Sequence, residues 1–466
     1  MSVETTHLDL INSRSRIDLV RDCVAGSIQV KKAGDAYLPR PNPTDTRAEN
    51  KSRFEQYLKR AVFYNATGWT LHGLVGQVFR KAPRYEVPST LDLLIDNIDG
   101  SGVSLAQQAR LTLGDALQFG RSALFVDYPN VEIATRQQIN EGTIRPVIVR
   151  YSPDSVINWR TSTYGAKTKL SLVVLRESRS KEEDFEVKVS TVYRVLRLVD
   201  GVYTVEIWEK QEGADYEVTE TFQPTGANQQ PLQDIPFTFV GSQNNDSSFD
   251  PSPIYDLAEL NIAHYRNSAD YEESCYLVGQ PTPWASGLTK EWVKDVMAGR
   301  MEIGSRAVIP LPEGASAGLL QAAPNSLPKE AMEAKEKQMV ALGARLIQER
   351  AVARTATEST LEEQTNTTTL ASVAENVSLA YTLALEWCAN YLGAPADSIE
   401  FELNTELHAT QLNAQQLTAL VAAWQSGSID YEEMRSSFKK GGIAYKDDEE
   451  ARENSQNEIG YGEPNE

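Results

Sequence analysis

At 466 residues and 51.7 kDa the chain is longer than one ordinary core, and about two to four structural units are expected. Hydrophobic residues at 41% and charged residues at 24% fall in the range of soluble globular protein, and no run reaches the roughly 18 apolar residues of a membrane span. A formal net charge of −20 excludes a protein that grips DNA by neutralising its phosphates, but not an acidic wall past which a duplex slides.

The first residues, MSVETTHLDLINSRSRIDLV, lack a basic segment followed by an apolar run, so no secretory signal is expected. Cys23, Cys275 and Cys388 are odd in number and far apart, which fits a reducing cytoplasm better than a disulfide framework. Residues 1–52 read as an extended arm around a short helix, because Pro39, Pro41 and Pro43 alternate through PRPNPTD. From Arg53 the spacing of Phe54, Tyr57, Leu58, Val62 and Phe63 predicts a helix. Trp69, Leu71, Leu74, Val75 and Val78 supply the apolar face of a continuation that Pro83 stops. Ser104 is the expected N-cap of the next helix, with Leu105, Ala109, Leu113, Ala116 and Leu117 on one face and Gly120 at its end. SALFVDYP then reads as a strand.

Residues 144–240 are β-rich: IRPVIVRYSP, KLSLVVLRES, STVYRVLRLVDGVYTVEIWEK and PFTFVG alternate apolar and polar residues, and Asp200-Gly201 marks a hairpin. GSQNNDSSFDPS is a loop. Helical spacing returns from Pro253 to about 278. Residues 284–326 are short and mixed, with EWVKDVMAG as a helix and RAVIPLP and AGLLQAA as strands. A long helix resumes at Leu327 with Pro328 in its first turn and runs to Arg350. AVARTATEST loses the pattern. LASVAENVSLAYTLALEWCANYLG is a strong helix, with Leu370, Val373, Val377, Ala380, Ala384 and Trp387 along one face and Gly393 and Pro395 at its end. FELNTEL reads as a strand, and AQQLTALVAAWQSG and DYEEMRSSFKKGG as two short helices. From Lys446 to Glu466 eight acidic residues stand against two basic ones, a composition expected to be disordered. The fold class is α+β.

Enzymatic signatures fail one by one. His7, His72, His264 and His408 lie in different segments without HExxH or CxxC spacing, and a metal site needs converging ligands. There is no GxxxxGK[ST], no GxGxxG after a strand and no GxSxG. His264 sits on an apolar helix face, where a packed histidine outweighs a ligand. Asp270, Glu272 and Glu273 in SADYEES could hold a metal for nuclease chemistry, yet charges on a helix are usually its solvated side. The expectation is a non-enzyme without cofactor.

What carries information is two long helices, 253–278 and 327–350, bracketing a compact mixed insert. Charges of both signs cover the second: Lys329, Glu330, Glu333, Lys335, Glu336, Lys337, Arg345, Glu349 and Arg350. Such a helix bridges solvent, stands beside copies of itself, or is an amphipathic helix laced by i,i+4 pairs on a monomer. An insert between two helices that a hairpin could have joined needs its own purpose.

In this order of segments, and in particular stretches, the chain resembles the portal proteins of tailed bacteriophages. Those stretches are YSPDSVINWR, IPFTFVGSQNNDSSFDPSPIYDLAELNIAHYRNSADYEES, RTATESTLEEQTNTTTLASVAENVSLAYTLALEWCANYLG and ELNTELHATQLNAQQLTALVAAWQSGSIDYEEMRSSFKKGG. The resemblance implies an N-terminal arm (1–52), an α+β wing (53–250), a first stem helix (251–278) and a clip (279–326). A second stem helix (327–350), a tunnel loop (351–363), a long wing helix (364–395), a short helical crown (396–443) and an acidic tail (444–466) would follow.

It further implies a dodecameric ring at one capsid vertex of the virion, assembled in the host cytoplasm without membrane contact. Genome DNA would pass through without sequence-specific binding. Partners would be the terminase large subunit, the major capsid protein and scaffold, and head-completion adaptor or tail proteins. Expected tunnel residues are Arg350, Val352, Arg354, Thr355 and Thr357, with Arg350 or Arg354 nearing the DNA backbone unless Glu349 or Glu358 pairs with them. Lys329, Glu333, Lys335, Glu336, Lys337 and Arg345 are candidates for lateral contacts. Trp284, Trp292, Arg300 and Arg306 are candidates for clip docking, although core packing also accounts for the two tryptophans. The competing readings are another structural virion component, such as a minor capsid or head–tail connector protein, and a metal-dependent nuclease.

Overall fold

Strand β2 (Arg121–Asp127) organises the fold, because all but the last of its seven residues are buried. The computed structural model describes residues 2–128, 144–210, 215–227, 230–280, 282–295, 311–320, 326–347, 368–407, 414–426 and 428–440. The chain divides into two units, Met1–Leu403 and Asn404–Glu466.

In the first unit β2 is the middle strand of an antiparallel sheet, between β3 (Val147–Tyr151) and β9 (Phe237–Gly241). Alternation sends Ala123, Phe125, Phe237 and Phe239 to one face, where they meet the inner face of a five-stranded sheet. That sheet has the order β4 (Val156–Tyr164), β5 (Lys167–Glu183), β6 (Glu186–Val199), β7 (Val202–Lys210), β8 (Tyr216–Phe222). The other face of β2 and β9 is covered by α6 (Leu105–Phe119) and α10 (Thr369–Leu392). The result is three layers of helix, sheet and sheet, an α+β arrangement.

The expected signals at α6 and α10 hold. Ser104 and Gln107 form a reciprocal capping box, and Gly120 ends α6 at φ 77°. A Cβ at Gly120 would collide with the Asp250 carbonyl, so glycine is required there sterically as well as conformationally. Leu370, Val373, Val377, Ala380 and Ala384 are buried along α10, and Gly393 closes it in the left-handed region. Asp200 and Gly201 both take positive φ in the two-residue turn joining β6 to β7, the backbone such hairpins demand.

Other expectations need correction. Residues 1–52 are no extended arm: α1 (Leu8–Ala25) and α2 (Ser27–Lys32) bury Leu10, Ile17, Val20, Cys23 and Val30 against the body. The PRPNPTD stretch is irregular, as alternating prolines require, but α3 (Ala48–Arg60) begins before Arg53. Ala61–Asn65 separate α3 from α4 (Ala66–Val78), whose Trp69 and the preceding Val62 point outward at 77% and 54% exposure. FELNTEL supplies only Phe401 and Glu402 of a three-residue strand, β12 (Glu400–Glu402), paired with β1 (Arg84–Glu86).

Two long elements leave this body side by side: α7 (Tyr255–Gly279) and α9 (Leu327–Arg345). Between them lie β10 (Thr282–Ser286), the short α8 (Lys290–Asp295) and β11 (Ser316–Leu320). In the second unit α11 (Ala414–Gln425) and α12 (Tyr431–Lys440) meet through Trp424 and Tyr431, with ring centroids 6.0 Å apart.

Candidate assembly site: paired helices and a small lobe

The sequence of α7 changes character along its length. Leu257, Ala258, Asn261, Ile262, His264, Tyr265, Ser268 and Ala269 are buried in the first fifteen residues, whereas Cys275, Tyr276 and Leu277 are exposed. The helix is therefore rooted in the body and projects from it. Its root is fixed by Asn261, which accepts from the backbone N–H and hydroxyl of Thr67 (3.1 and 2.9 Å) and donates to the Tyr64 carbonyl at 2.7 Å.

Along the projecting part α3 leans on α7. The Tyr57 hydroxyl donates to Asp270 at 2.6 Å; burial first, and then that bond, push the Tyr57 phenol well above its ordinary range. Arg60 pairs with Glu273 and lies 4.2 Å from the centre of the Tyr276 ring, with Arg53 also 3.8 Å from Glu273. Asp270 and Glu273, two of the three carboxylates a nuclease would need, are thus committed to α3. Among the described residues no cluster of three or more His, Cys, Asp or Glu could hold a metal ion.

Helix α9 buries a single residue, Met339, at 3% exposure. Its polar contacts with α7 are specific. Lys335 Nζ donates to Asn267 Oδ1 at 2.6 Å, and Glu336 Oε1 lies 3.2 Å from Nε2 of the buried His264. His264 is the packed histidine expected from its helix face, and it borrows a carboxylate from the neighbouring helix. Of the six expected lateral-contact residues, Lys335 and Glu336 therefore face α7 of their own chain. Lys329, Glu333, Lys337 and Arg345 face outward, the first two as an i,i+4 pair at 3.9 Å. Leu327 and Val340 join them at 68% and 74% exposure.

The lobe is built on an antiparallel pair, Thr282↔Leu320 to Ser286↔Ser316, in which the Ser286 and Ser316 hydroxyls are 2.9 Å apart. Trp284 lies across Gly318, where a Cβ would come within 3.1–3.2 Å of the indole, yet the ring stays 44% exposed. Trp292 sits on α8, whose backbone N–H donates to Thr289 Oγ1 at 3.2 Å. None of the described residues 282–295 and 311–320 is buried, while Leu319 and Leu320 are 59% and 69% exposed. Arg300, Arg306, Arg350, Val352, Arg354, Thr355 and Thr357 lie outside the described residues, as do the expected tunnel loop and acidic tail. What the sequence did not disclose is the α3–α7 brace. Its partners are over 200 residues apart, and the one visible sign was the acidic SADYEES run opposite the basic end of α3.

The model of a domain of unknown function (DUF4055) matches residues 253–392, less than half of the chain but including both projecting helices, the lobe and α10. No curated protein matches. Among solved structures, the chain is similar to one in the neck of an empty gene transfer agent (GTA) particle computed with C6 symmetry. The identity is 14% and the TM-score 0.41, over 82% of this chain and 90% of that one. It is also similar to a chain in the virion of a native GTA particle, at 14% identity and TM-score 0.40, over 88% and 99%. A third, in the neck of a native GTA particle computed with C12 symmetry, has 14% identity and TM-score 0.40, over 80% and 88%.

Proposed function

We propose that the chain is a structural virion protein of the portal type, a ring subunit through whose centre double-stranded genome DNA is packaged and ejected. One observation carries the reading: a helix pair projects from a well-packed body and ends in a lobe whose described residues bury nothing. Apolar surface left in water costs about 25 cal/mol per Å², so the exposed Trp284, Leu319 and Leu320 call for a covering surface. The outward charges of both signs on α9 suit neighbours standing in a row, because copies around a closed axis meet through two different faces. The sheet body is the part that would spread outward, and an acidic chain lining a channel lets DNA slide.

In this reading the lobe is the docking surface for the packaging motor, the terminase large subunit, during filling, and for adaptor or tail proteins afterwards. No bond is broken by this chain; the motor spends the ATP. Replacing residues 282–320 by a short Gly/Ser linker between α7 and α9 should leave rings intact and abolish motor binding in a pull-down. A lobe-less ring that still recruits the motor would refute the docking role.

A further inference from the structure

Strands β5 and β6 pair from Leu172↔Arg197 to Glu183↔Glu186, but their flanking strands stop short. β4 reaches only to Leu175 and β7 only to Val192. Beyond those points roughly 20 Å of two-stranded ribbon runs past both flanking strands of the sheet. Such a ribbon is marginal in water, and its edges invite pairing. Its two faces differ. Val187 and Val189, 61% and 65% exposed, share one face, with Ser180 opposite Val189; Arg179, Lys181 and Lys188 alternate onto the other, where Arg179 pairs with Glu209. At the tip Phe185 is 96% exposed, within a turn whose sequence, EEDFE, holds four acidic residues.

A surface of opposite character lies elsewhere on the same unit. Ile28 on α2, Val62, and Trp69 on α4 are 84%, 54% and 77% exposed. The segments that carry them are tied together by Asn65, whose amide donates to the Val24 carbonyl at 3.3 Å, and by Lys31, whose ammonium donates to the Lys59 carbonyl at 3.1 Å. Lys31 and Lys32 end α2, and Lys59 stands in the last turn of α3, so these segments also carry three lysines. A ribbon with one apolar face and an acidic turn, and exposed apolar side chains on lysine-bearing segments, are thus both left open within one chain.

We propose that the β5–β6 ribbon of one copy docks on the α2–α4 patch of the next copy, Phe185 against Trp69 and Ile28, with the acidic turn among the lysines. The proposal rests on the ring reading and supplies its two unlike faces. An aromatic anchor set in an apolar patch carries the energy, and the opposed charges set register and salt dependence.

The test uses the full chain carrying Cys275→Ser, so that the exposed native thiol is absent. Phe185→Cys combined with Trp69→Cys should give, on mild oxidation, a ladder of cross-linked multimers on a denaturing gel, and neither single variant should. Separately, Lys32→Glu with Lys59→Glu should weaken assembly more than about tenfold at low salt, and adding Asp184→Lys with Glu186→Lys should restore it. A rescue of that kind cannot come from misfolding. Rings that form without a ladder and ignore both charge reversals would overturn the proposal and assign the ribbon to an occupant outside the ring. A parent chain that forms no ring at all would overturn the ring reading along with it.

Discussion

Arg121 is held between rings, its guanidinium carbon 3.5 Å from the centre of Phe239 and 4.4 Å from that of Trp159, and His7 stacks on Trp159 with ring centroids 3.9 Å apart. The Arg121 side chain donates to the Ser247 carbonyl at 2.9 Å, while its Nε and Nη1 have no polar partner among the described residues and the guanidinium meets aromatic faces. Burial lowers its pKa to about 9, which leaves it charged at neutral pH beside Asp250, Asp246 and Asp9. Nothing in the sequence discloses this site, since its rings come from β4, β9 and Phe249. His7 was equally hidden, as the residue that caps α1 by accepting from the Asp9 N–H at 3.2 Å. Burial holds its pKa below the ordinary histidine value, Asp9 opposing and Arg121 assisting. The unfolded chain therefore binds this proton better, so the stability tied to neutral His7 is complete above the unfolded value and lost as pH falls through it. His7→Asn keeps a capping side chain without the titration. Thermal melts from about pH 7.5 to about 5.5 should show the parent losing stability relative to the variant; parallel curves would remove His7 from the account.

At the scale of elements, the signals that were legible are local ones. The capping box, the left-handed glycines and the Asp-Gly turn each act within a few residues. The N-terminal helices are hidden in the sequence because Ser13, Arg14 and Ser15 interrupt the apolar spacing of α1, and its buried Leu10, Ile17, Val20 and Cys23 are covered only by packing on α4, α6 and α7. β4 is not legible in the sequence because VINWRTSTY is half polar; Thr5 and His7 bond along it, the His7 N–H donating to the Ile157 carbonyl at 2.8 Å and the Thr5 carbonyl accepting from Asn158 at 2.9 Å. The α7–α9 pair is legible as two helices but not as a mated pair, since Met339 is the one fully buried residue of α9 and its polar contacts come from Lys335 and Glu336 on an otherwise charged helix. Met339→Ala should cost about 2–4 kcal/mol. In hydrogen exchange it should strip protection from α9 while sparing the β3–β2–β9 sheet. Equal loss in both would mean that the pair and the body form one cooperative unit.

For the whole molecule, the order of segments was readable and the reason for it was not. Two helices around an insert can be seen in the spacing of apolar residues. That the insert buries none of its described side chains, and that α9 turns Lys329, Glu333, Lys337 and Arg345 away from its own chain, appears only in three dimensions. Those two facts leave the single subunit with uncovered surfaces, which the proposed ring would cover. Electron microscopy of the purified full-length chain tests this most directly. The expected result is end-on views of a closed ring with a central hole wide enough for a duplex. Particles that remain 51.7 kDa monomers under every buffer and concentration would contradict it.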